Sequence, residues 1–214
     1  ANVPYSNRSE DARIEVLHLT SGERKTLVQG GNHPRYAASG HLLYEAEGTL
    51  RAVAFDLDRL AVVGNPVPGV ESLVTSPFEG VFSVAPNGTL VYLQGTSEGA
   101  GRTLVWADRQ GREEAVKIPP RAYAGVRLSP DGTRVALDVR DEMNDIWVWH
   151  LTRQTLTRLT FDPEENFGGI WSPDGQRLAF SRGSDGHNIY WQAADGTGAP
   201  ERLTQRSKPQ APLA

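Results

Sequence analysis

The chain has 214 residues, a formal net charge of −4, 22 glycines, 14 prolines and no cysteine. The lack of cysteine excludes disulfide bonds, thiolate nucleophiles and cysteine-ligated zinc, and the mild negative charge argues against nucleic acid as a partner. No apolar run approaches the length of a membrane span, so we expect no membrane insertion by this segment. The first residues also lack the basic and then apolar pattern of a secretion signal.

One short turn sequence repeats along the chain. Ser-Pro-Asp-Gly occurs at 129–132 and again at 172–175, each time between two short apolar runs. Degenerate copies stand in phase before it, at 85–88 and 37–40. A tight turn between strands at a period of about 43 residues is typical of one blade of a β-propeller. Proline and glycine suit such a turn, and the aspartate can accept backbone hydrogen bonds, so Asp131 and Asp174 are predicted to be structural.

The predicted blades follow one another along the chain without a linker. Residues 1–31 align with the last repeat and predict the second, third and fourth strands of a blade, at 1–6, 13–19 and 25–28. Four strands each are then predicted in the blades 32–75, 76–119, 120–162 and 163–205. Residues 209–214 stand where a first strand is expected. The sequence therefore predicts a single all-β domain over 1–214, a five-bladed β-propeller of four-stranded antiparallel blades in which N- and C-terminal strands close one blade.

Several segments resemble the WD40-like, TolB-type family of propeller repeats. The matching stretches are 128–137, 144–149, 156–162 and 171–180. The stretch 188–199 is similar to the propeller region behind bacterial membrane-bound serine/threonine kinase domains, although the sequence has no kinase motif of its own. The resemblance implies an extracytoplasmic (periplasmic or outer-face) sensing or protein-binding module. Because such a module could also be part of a longer receptor that dimerises, the oligomeric state stays open, with a monomer expected.

In a propeller, the loops that join second to third strands, and fourth strands to the next blade, share one mouth. Here these loops carry many Asp and Glu residues, so the sequence predicts an acidic mouth. The residues predicted to bind a ligand there are His33, Arg35, Glu79, Arg121, Tyr123, Asp141, Glu164 and His187.

Two functions compete for this mouth. The first, which we favour, is a non-enzymatic binding or sensor module for a protein, a peptide or a small polar ligand such as a carbohydrate. The alternative is a glycoside hydrolase, which needs two carboxylates about 5–10 Å apart; Asp141 or Asp145 could face Glu164 or Glu165. No cofactor is required, but calcium is a candidate because six carboxylates of adjacent blades supply oxygen ligands: Asp141, Glu142, Asp145, Asp162, Glu164 and Glu165. Ordinary solvated loop charge is the third interpretation of these side chains.

Overall fold

The computed structural model describes residues 12–74, 81–94, 101–108, 110–141, 143–183 and 188–205, together with Gln210 and Pro212. All regular structure in these ranges is β-strand. None of the described residues belongs to a helix that could cross a membrane.

The strands fall into five sheets, numbered here as blades 1 to 5. Blade 1 contains β1 (Arg13–Leu17) and β2 (Arg24–Gln29). Blade 2 contains β3 (Asn32–Ala37), β4 (His41–Ala46), β5 (Thr49–Asp56) and β6 (Ala61–Val70). Blade 3 contains β7 (Phe82–Val84), β8 (Leu90–Gln94), β9 (Thr103–Ala107) and β10 (Glu113–Ala115). Blade 4 contains β11 (Tyr123–Leu128), β12 (Arg134–Arg140), β13 (Asn144–His150) and β14 (Thr155–Arg158). Blade 5 contains β15 (Asn166–Trp171), β16 (Arg177–Arg182), β17 (Asn188–Ala193) and β18 (Glu201–Arg202).

Each blade is an antiparallel meander whose strand order follows the chain. The first strands of successive blades contact one another, β3 with β7, β7 with β11 and β11 with β15. They are therefore the inner strands, arranged around a common axis, and the later strands of each sheet lie progressively further out. The five sheets confirm the predicted five-bladed propeller.

The predicted closing strands lie mostly outside the described residues. This applies to residues 1–6 and to 209–214 apart from Gln210 and Pro212. Those two residues lie against blade 5: the Ser181 hydroxyl donates to the Gln210 carbonyl at 2.8 Å, and a Cβ built on Gly168 would lie 3.9 Å from Pro212 Cδ. Gln210 and Pro212 therefore lie beside the first two strands of blade 5, and the pairing of residues 209–214 with residues 1–6 stays a prediction.

The core lies between the faces of neighbouring blades. One buried cluster runs from blade 2 through blade 3 to blade 4, and its largest members include Tyr92 and Tyr123. A second joins blades 4 and 5 around Trp171 and Phe180. A third, around Tyr44, joins blades 1 and 2. Blades 2, 3 and 4 therefore each pack both of their faces against a neighbour, and the core lies between the sheets.

The Ser-Pro-Asp-Gly turns have the structural role predicted for them. In blade 4 the Asp131 carboxylate accepts hydrogen bonds from the Ser129 hydroxyl at 2.6 Å and from the Thr133 backbone N–H at 3.0 Å. Gly132 has a φ of 69°, in the left-handed region that glycine adopts without strain. The Asp174 carboxylate of blade 5 accepts the same bond from its own serine, also at 2.6 Å. Both aspartates therefore hold the turn between inner and second strands, away from the mouth.

These bonds predict a measurable loss of stability. Asp131→Ala removes the acceptor of the turn and should lower the free energy of unfolding by about 1 kcal/mol. Asp131→Asn keeps one oxygen acceptor and should lose less. Hydrogen bonds from Ser129 and Thr133 lower the pKa of Asp131 to about 2. The stabilisation is therefore complete above the ordinary pKa of an aspartate and is lost as the pH falls from about 4 to about 2.

Urea denaturation of the wild type and both variants at pH 7 and pH 2.5 measures this directly. A wild-type advantage over Asp131→Asn that does not shrink at the lower pH would contradict the assignment.

Candidate functional site

The mouth lies at the end of the ring where second strands turn into third strands and fourth strands lead to the next blade. The inner strands of blades 2, 4 and 5 share an irregularity at this end. The pairing register shifts between Asn32 and Arg35 in β3, between Tyr123 and Gly125 in β11, and between Phe167 and Ile170 in β15. His33, within the first of these shifts, has a φ of 53°. Such bulges redirect side chains at the rims of sheets and next to binding sites.

Arg121 and Asp141 lie together, as a mouth site would require. Arg121 lies in the loop that enters blade 4, and Asp141 follows β12. The Arg121 Nε donates to Asp141 Oδ2 at 2.7 Å, and a second guanidinium nitrogen lies 2.6 Å from the same oxygen. The guanidinium also lies 4.1 Å from the centre of the Trp147 ring, a cation–π contact. The Asp141 carboxylate therefore already has an ion-pair partner, and the Trp147 ring helps to hold that arginine in place.

Asp145 is buried and locks two strands of blade 4 together. It is 5% exposed and accepts a hydrogen bond from the Thr160 hydroxyl at 2.8 Å. Its other oxygen pairs with Arg158 at 2.8 Å. The Thr160 hydroxyl in turn accepts the backbone N–H of Ile146 at 3.0 Å. Asp145 thus ties the start of β13 to the end of β14.

Blade 5 repeats the threonine bonds of this lock, with Asn188 at the position of Asp145. The Ile189 N–H donates to the Thr204 hydroxyl at 2.9 Å, and Arg202 Nε donates to the Thr204 carbonyl at 2.7 Å. Asn188 stands before Ile189 as Asp145 stands before Ile146. Since a neutral amide occupies the same place in the next repeat, the position serves the blade and does not require the chemistry of a carboxylic acid.

A third ion pair joins the mouth loop between blades 4 and 5 to blade 5 itself. Asp162 in that loop pairs with Arg182 at the end of β16 at 2.5 Å. Arg182 also donates from Nε to Asn166 Oδ1 at 3.0 Å. The carboxylates of Asp141, Asp145 and Asp162 are therefore all balanced by arginine. The prediction of an acidic mouth is therefore corrected for these three aspartates, whose negative charges are neutralised by arginines. The sequence gives the positions of the aspartates but does not show which arginines pair with them.

Glu164 and Glu165 are exposed in the same loop. The backbone carbonyl of Glu164 accepts a hydrogen bond from the Asn166 side chain at 2.8 Å, which fixes the main chain of the loop. In the described part of the chain, no three His, Asp or Glu side chains are grouped closely enough to hold a metal ion. Calcium binding stays an untested prediction.

Tyr123 does not present its side chain to a ligand. It has no exposed surface, and its hydroxyl donates to the Pro119 carbonyl at 2.5 Å. Burial raises the pKa of Tyr123 above its usual value. Tyr123 therefore shapes the loop that carries Arg121, although the sequence predicts it as a contact residue. Strand alternation could have indicated this, because aromatic residues at the start of an inner strand face the neighbouring blade.

Of the remaining predicted ligand-binding residues, two lie on the inner strand of blade 2 and two lie outside the described residues. His33 and Arg35 are half-buried on β3. Glu79 and His187 lie outside the described residues, as does Glu142.

Two exposed apolar side chains lie at the mouth that the sequence did not predict as site residues. Phe161, which follows β14, is 72% exposed, and Met143, which precedes β13, is 38% exposed. Because β13 and β14 pair antiparallel, both residues lie at the same end of blade 4. The Arg158 guanidinium lies 5.2 Å from the centre of the Phe161 ring. We call Met143 and Phe161 the apolar mouth patch. In sequence they look like any other core residues, so only their exposure identifies them.

A substitution at Asp145 separates a structural role from a catalytic one. Asp145→Ala leaves Arg158 without its buried partner and should lower the free energy of unfolding by about 2–3 kcal/mol. Asp145→Asn reproduces the arrangement of blade 5 and should cost less than half of that. Thermal and urea denaturation check the order of the two variants. Equal stability of all three proteins would show that the lock does not support the blade.

Comparison with known proteins identifies the type of propeller. No family model matches the chain. An uncharacterized protein of Agrobacterium fabrum (strain C58 / ATCC 33970) is 26% identical over 199 residues, which cover 89% of this chain and 65% of that protein. This chain therefore spans about two-thirds of the length of that relative.

Three solved structures share the fold. TolB from Acinetobacter baumannii has a TM-score of 0.73 at 19% identity, covering 96% of this chain and 52% of TolB. A protein assigned as TolB from Agrobacterium tumefaciens has a TM-score of 0.70 at 23% identity, covering 90% and 69%. An oligogalacturonate lyase in complex with manganese has a TM-score of 0.61 at 16% identity, covering 90% and 58%. The TolB-type propeller fold that the repeats resemble is confirmed, whereas the similarity to kinase-linked propellers stays a prediction.

Proposed function

We propose that this propeller is a non-enzymatic binding module whose mouth recognises a segment of a partner protein. The observation that carries the proposal is the apolar mouth patch, where Phe161 is 72% exposed. An aromatic residue and a methionine beside fixed charges are the composition typical of protein-binding surfaces. A buried aromatic anchor often dominates the energy of such an interface. Arg158, held by Asp145 at 2.8 Å, gives the Phe161 ring a fixed polar neighbour.

The alternative, a glycoside hydrolase, finds less support in the mouth. Its mechanism needs one carboxylic acid that donates a proton and one carboxylate that reaches the sugar. The oxygens of Asp141 and Asp145 are engaged by Arg121 and Arg158, so either residue would have to leave its ion pair before it could act. Glu164 and Glu165 are exposed and remain the candidates for this chemistry. The structural likeness to an oligogalacturonate lyase is the observation that favours keeping this alternative.

The TolB-type fold also supports an extracytoplasmic location for this module, as the sequence resemblance implies. A sensing role, in which the bound segment reports on the envelope or its surroundings, is consistent with that location. The charge distribution fits a protein partner better than nucleic acid, because arginines at the mouth are paired with aspartates.

Peptide display on the purified protein tests the proposed function. Peptides selected for binding should contain an apolar or aromatic anchor, and Phe161→Ser should weaken their affinity at least tenfold by removing the exposed ring. Leu57→Ser is the matched control, because Leu57 is 54% exposed in the turn between β5 and β6 at the opposite end of the ring. Equal losses in both variants, or selection of no peptide, would contradict a mouth-directed binding site.

An activity assay tests the alternative. Aryl glycosides and oligogalacturonate, with calcium or manganese and with neither, should show no turnover by the wild-type protein. Turnover that Glu164→Gln or Asp141→Asn abolishes, with the melting temperature unchanged, would replace the binding module by an enzyme.

A further inference from the structure

We infer that a groove on the outer wall of the ring, between blades 3 and 4, is a binding site for a neutral carbohydrate. Its volume is about 360 Å³, and its lining includes Trp106, Glu114, Lys117, Trp149 and Gln154. We call it the outer groove. This inference goes beyond the proposed function, because the outer groove shares no residue with the apolar mouth patch and lies at the other end of the ring.

The outer groove lies where the third and fourth strands of two blades meet. Trp106 is on β9 and Glu114 on β10, the two outer strands of blade 3, and Trp149 is near the end of β13 in blade 4. Because β13 begins at the mouth, its last residues and the turn 151–154 stand at the opposite end of the ring. A ligand in this groove therefore approaches from the outer wall and does not reach the mouth.

Burial decreases from the floor of the groove to its walls. Trp149 is 3% exposed and Val116 is 8% exposed, and both belong to the buried cluster shared by blades 2, 3 and 4. Trp106 and Leu151 are half-buried and pack against that cluster. The core therefore holds the apolar floor in place and leaves part of Trp106 accessible. A mainly apolar floor with a few polar groups is typical of small-molecule sites, and the volume falls within their range of roughly 300–1,000 Å³.

The rim of the groove is polar and carries no net charge. It consists of Glu114, Lys117 and Gln154, all of them exposed. In the part of the chain that the structure describes, no hydrogen bond or ion pair engages these three side chains. They offer one anionic acceptor, one cationic donor and one amide that both donates and accepts. Since the two charges cancel, the rim favours a neutral ligand with several hydroxyl groups over an anion or a cation.

Gln154 has a backbone conformation that is unfavourable for a residue with a side chain. Its φ is 52°, in the left-handed region. The corresponding turns of blades 1 and 3 use glycine for this conformation, Gly22 with a φ of 73° and Gly111 with a φ of 75°. Blade 2 has Leu60 there, with a φ of 48°, but Leu60 is half-buried and contributes to packing. Gln154 is exposed, so packing does not account for it. Backbone strain of this kind is common where a side chain serves a function, and the Gln154 side chain lines the outer groove.

A pyranose ring matches both parts of the outer groove. One face of such a ring presents C–H groups, which pack against an aromatic surface such as that of Trp106. The edge of the ring carries neutral hydroxyl groups, which can donate to Glu114 and accept from Lys117, while the Gln154 amide can do both. A charged ligand would instead meet a like charge at the rim, which selects against it.

Saturation-transfer NMR and isothermal titration calorimetry on the whole protein test the site. The probes are the methyl pyranosides of glucose, galactose and N-acetylglucosamine, together with maltose, lactose and chitobiose. The comparison ligands are sorbitol, which has hydroxyl groups but no ring, and glucuronate, which has the ring and a negative charge. We expect at least one neutral pyranoside or disaccharide to bind, and both comparison ligands to bind at least about tenfold more weakly.

Two variants with matched controls assign the binding to the outer groove. Trp106→Leu should weaken it about tenfold by removing the aromatic surface. Trp191→Leu removes a half-buried tryptophan of blade 5 outside the groove and should bind like the wild type. Gln154→Gly removes the amide and should weaken binding about threefold. Thr152→Gly, which places a glycine in the same turn without changing a lining residue, should not.

Melting curves without ligand distinguish a binding role of Gln154 from a structural one. Glycine adopts a φ of 52° without strain, so Gln154→Gly should melt no lower than the wild-type protein. A clearly lower melting temperature would show that Gln154 supports the turn, and the inference would fail.

The remaining outcomes also decide the question. The inference is overturned if no neutral pyranoside or disaccharide binds, if sorbitol or glucuronate binds as tightly, or if either Trp106→Leu or Gln154→Gly keeps the wild-type affinity. It also fails if Gln154→Gly loses the peptides selected by display, because the groove would then belong to a protein interface. Phe161→Ser should leave carbohydrate binding unchanged, so failure of the mouth patch and failure of the outer groove can be told apart.

Discussion

The structure depends on the need of every sheet to bury both of its faces. A sheet with apolar side chains on both faces must pack against other elements to keep those faces from water, and blades 2, 3 and 4 are each covered by the blades before and after them. The buried clusters accordingly run across blade boundaries, as Trp171 and Phe180 do between blades 4 and 5. Polar contacts follow the same boundaries: Asp138 of blade 4 accepts the backbone N–H of Gly168 in blade 5 at 2.9 Å. Stability is therefore shared among neighbouring repeats, and a defect in one blade exposes the faces of two others.

This packing leaves the loops, the inner strands and the outer groove between blades 3 and 4 for function. The outer strands complete each sheet, and the Ser-Pro-Asp-Gly turns use their serine and aspartate for internal hydrogen bonds. At the mouth, Arg121, Arg158 and Arg182 each form an ion pair with an aspartate, which leaves those three carboxylates without free charge. Among the described mouth residues, the apolar mouth patch and two exposed glutamates, Glu164 and Glu165, are available to a partner. A surface of this kind suits recognition better than hydrolysis, because its carboxylates are fixed by partners that a reaction would have to displace.

The repeats also explain why a residue that looks catalytic can be structural. Asp145 is a buried carboxylate beside an arginine, a combination that sequence and chemistry alone associate with active sites. In blade 5 the Ile189 N–H donates to the Thr204 hydroxyl in the same way, and Asn188 stands at the position of Asp145. Internal repetition thus acts as a control within one molecule: a feature present in two blades with different chemistry belongs to the blade.

The sequence by itself determined the architecture, since the spacing of the turns and the alternation within strands follow from local backbone geometry, which a short stretch of residues specifies. It also determined the role of Asp131 and Asp174, whose hydrogen-bond partners in the turn lie two residues away along the chain. The tertiary structure alone decided the character of the mouth, because the partner of Asp141 lies 20 residues away, that of Asp145 13 residues away and that of Asp162 20 residues away. The exposure of Phe161 and the burial of Tyr123 were likewise decided by how the blades meet. Charge balance and burial depend on distances between residues that are remote in sequence. The repeat pattern predicts where each blade lies, but it does not predict which side chains of neighbouring blades and loops contact one another.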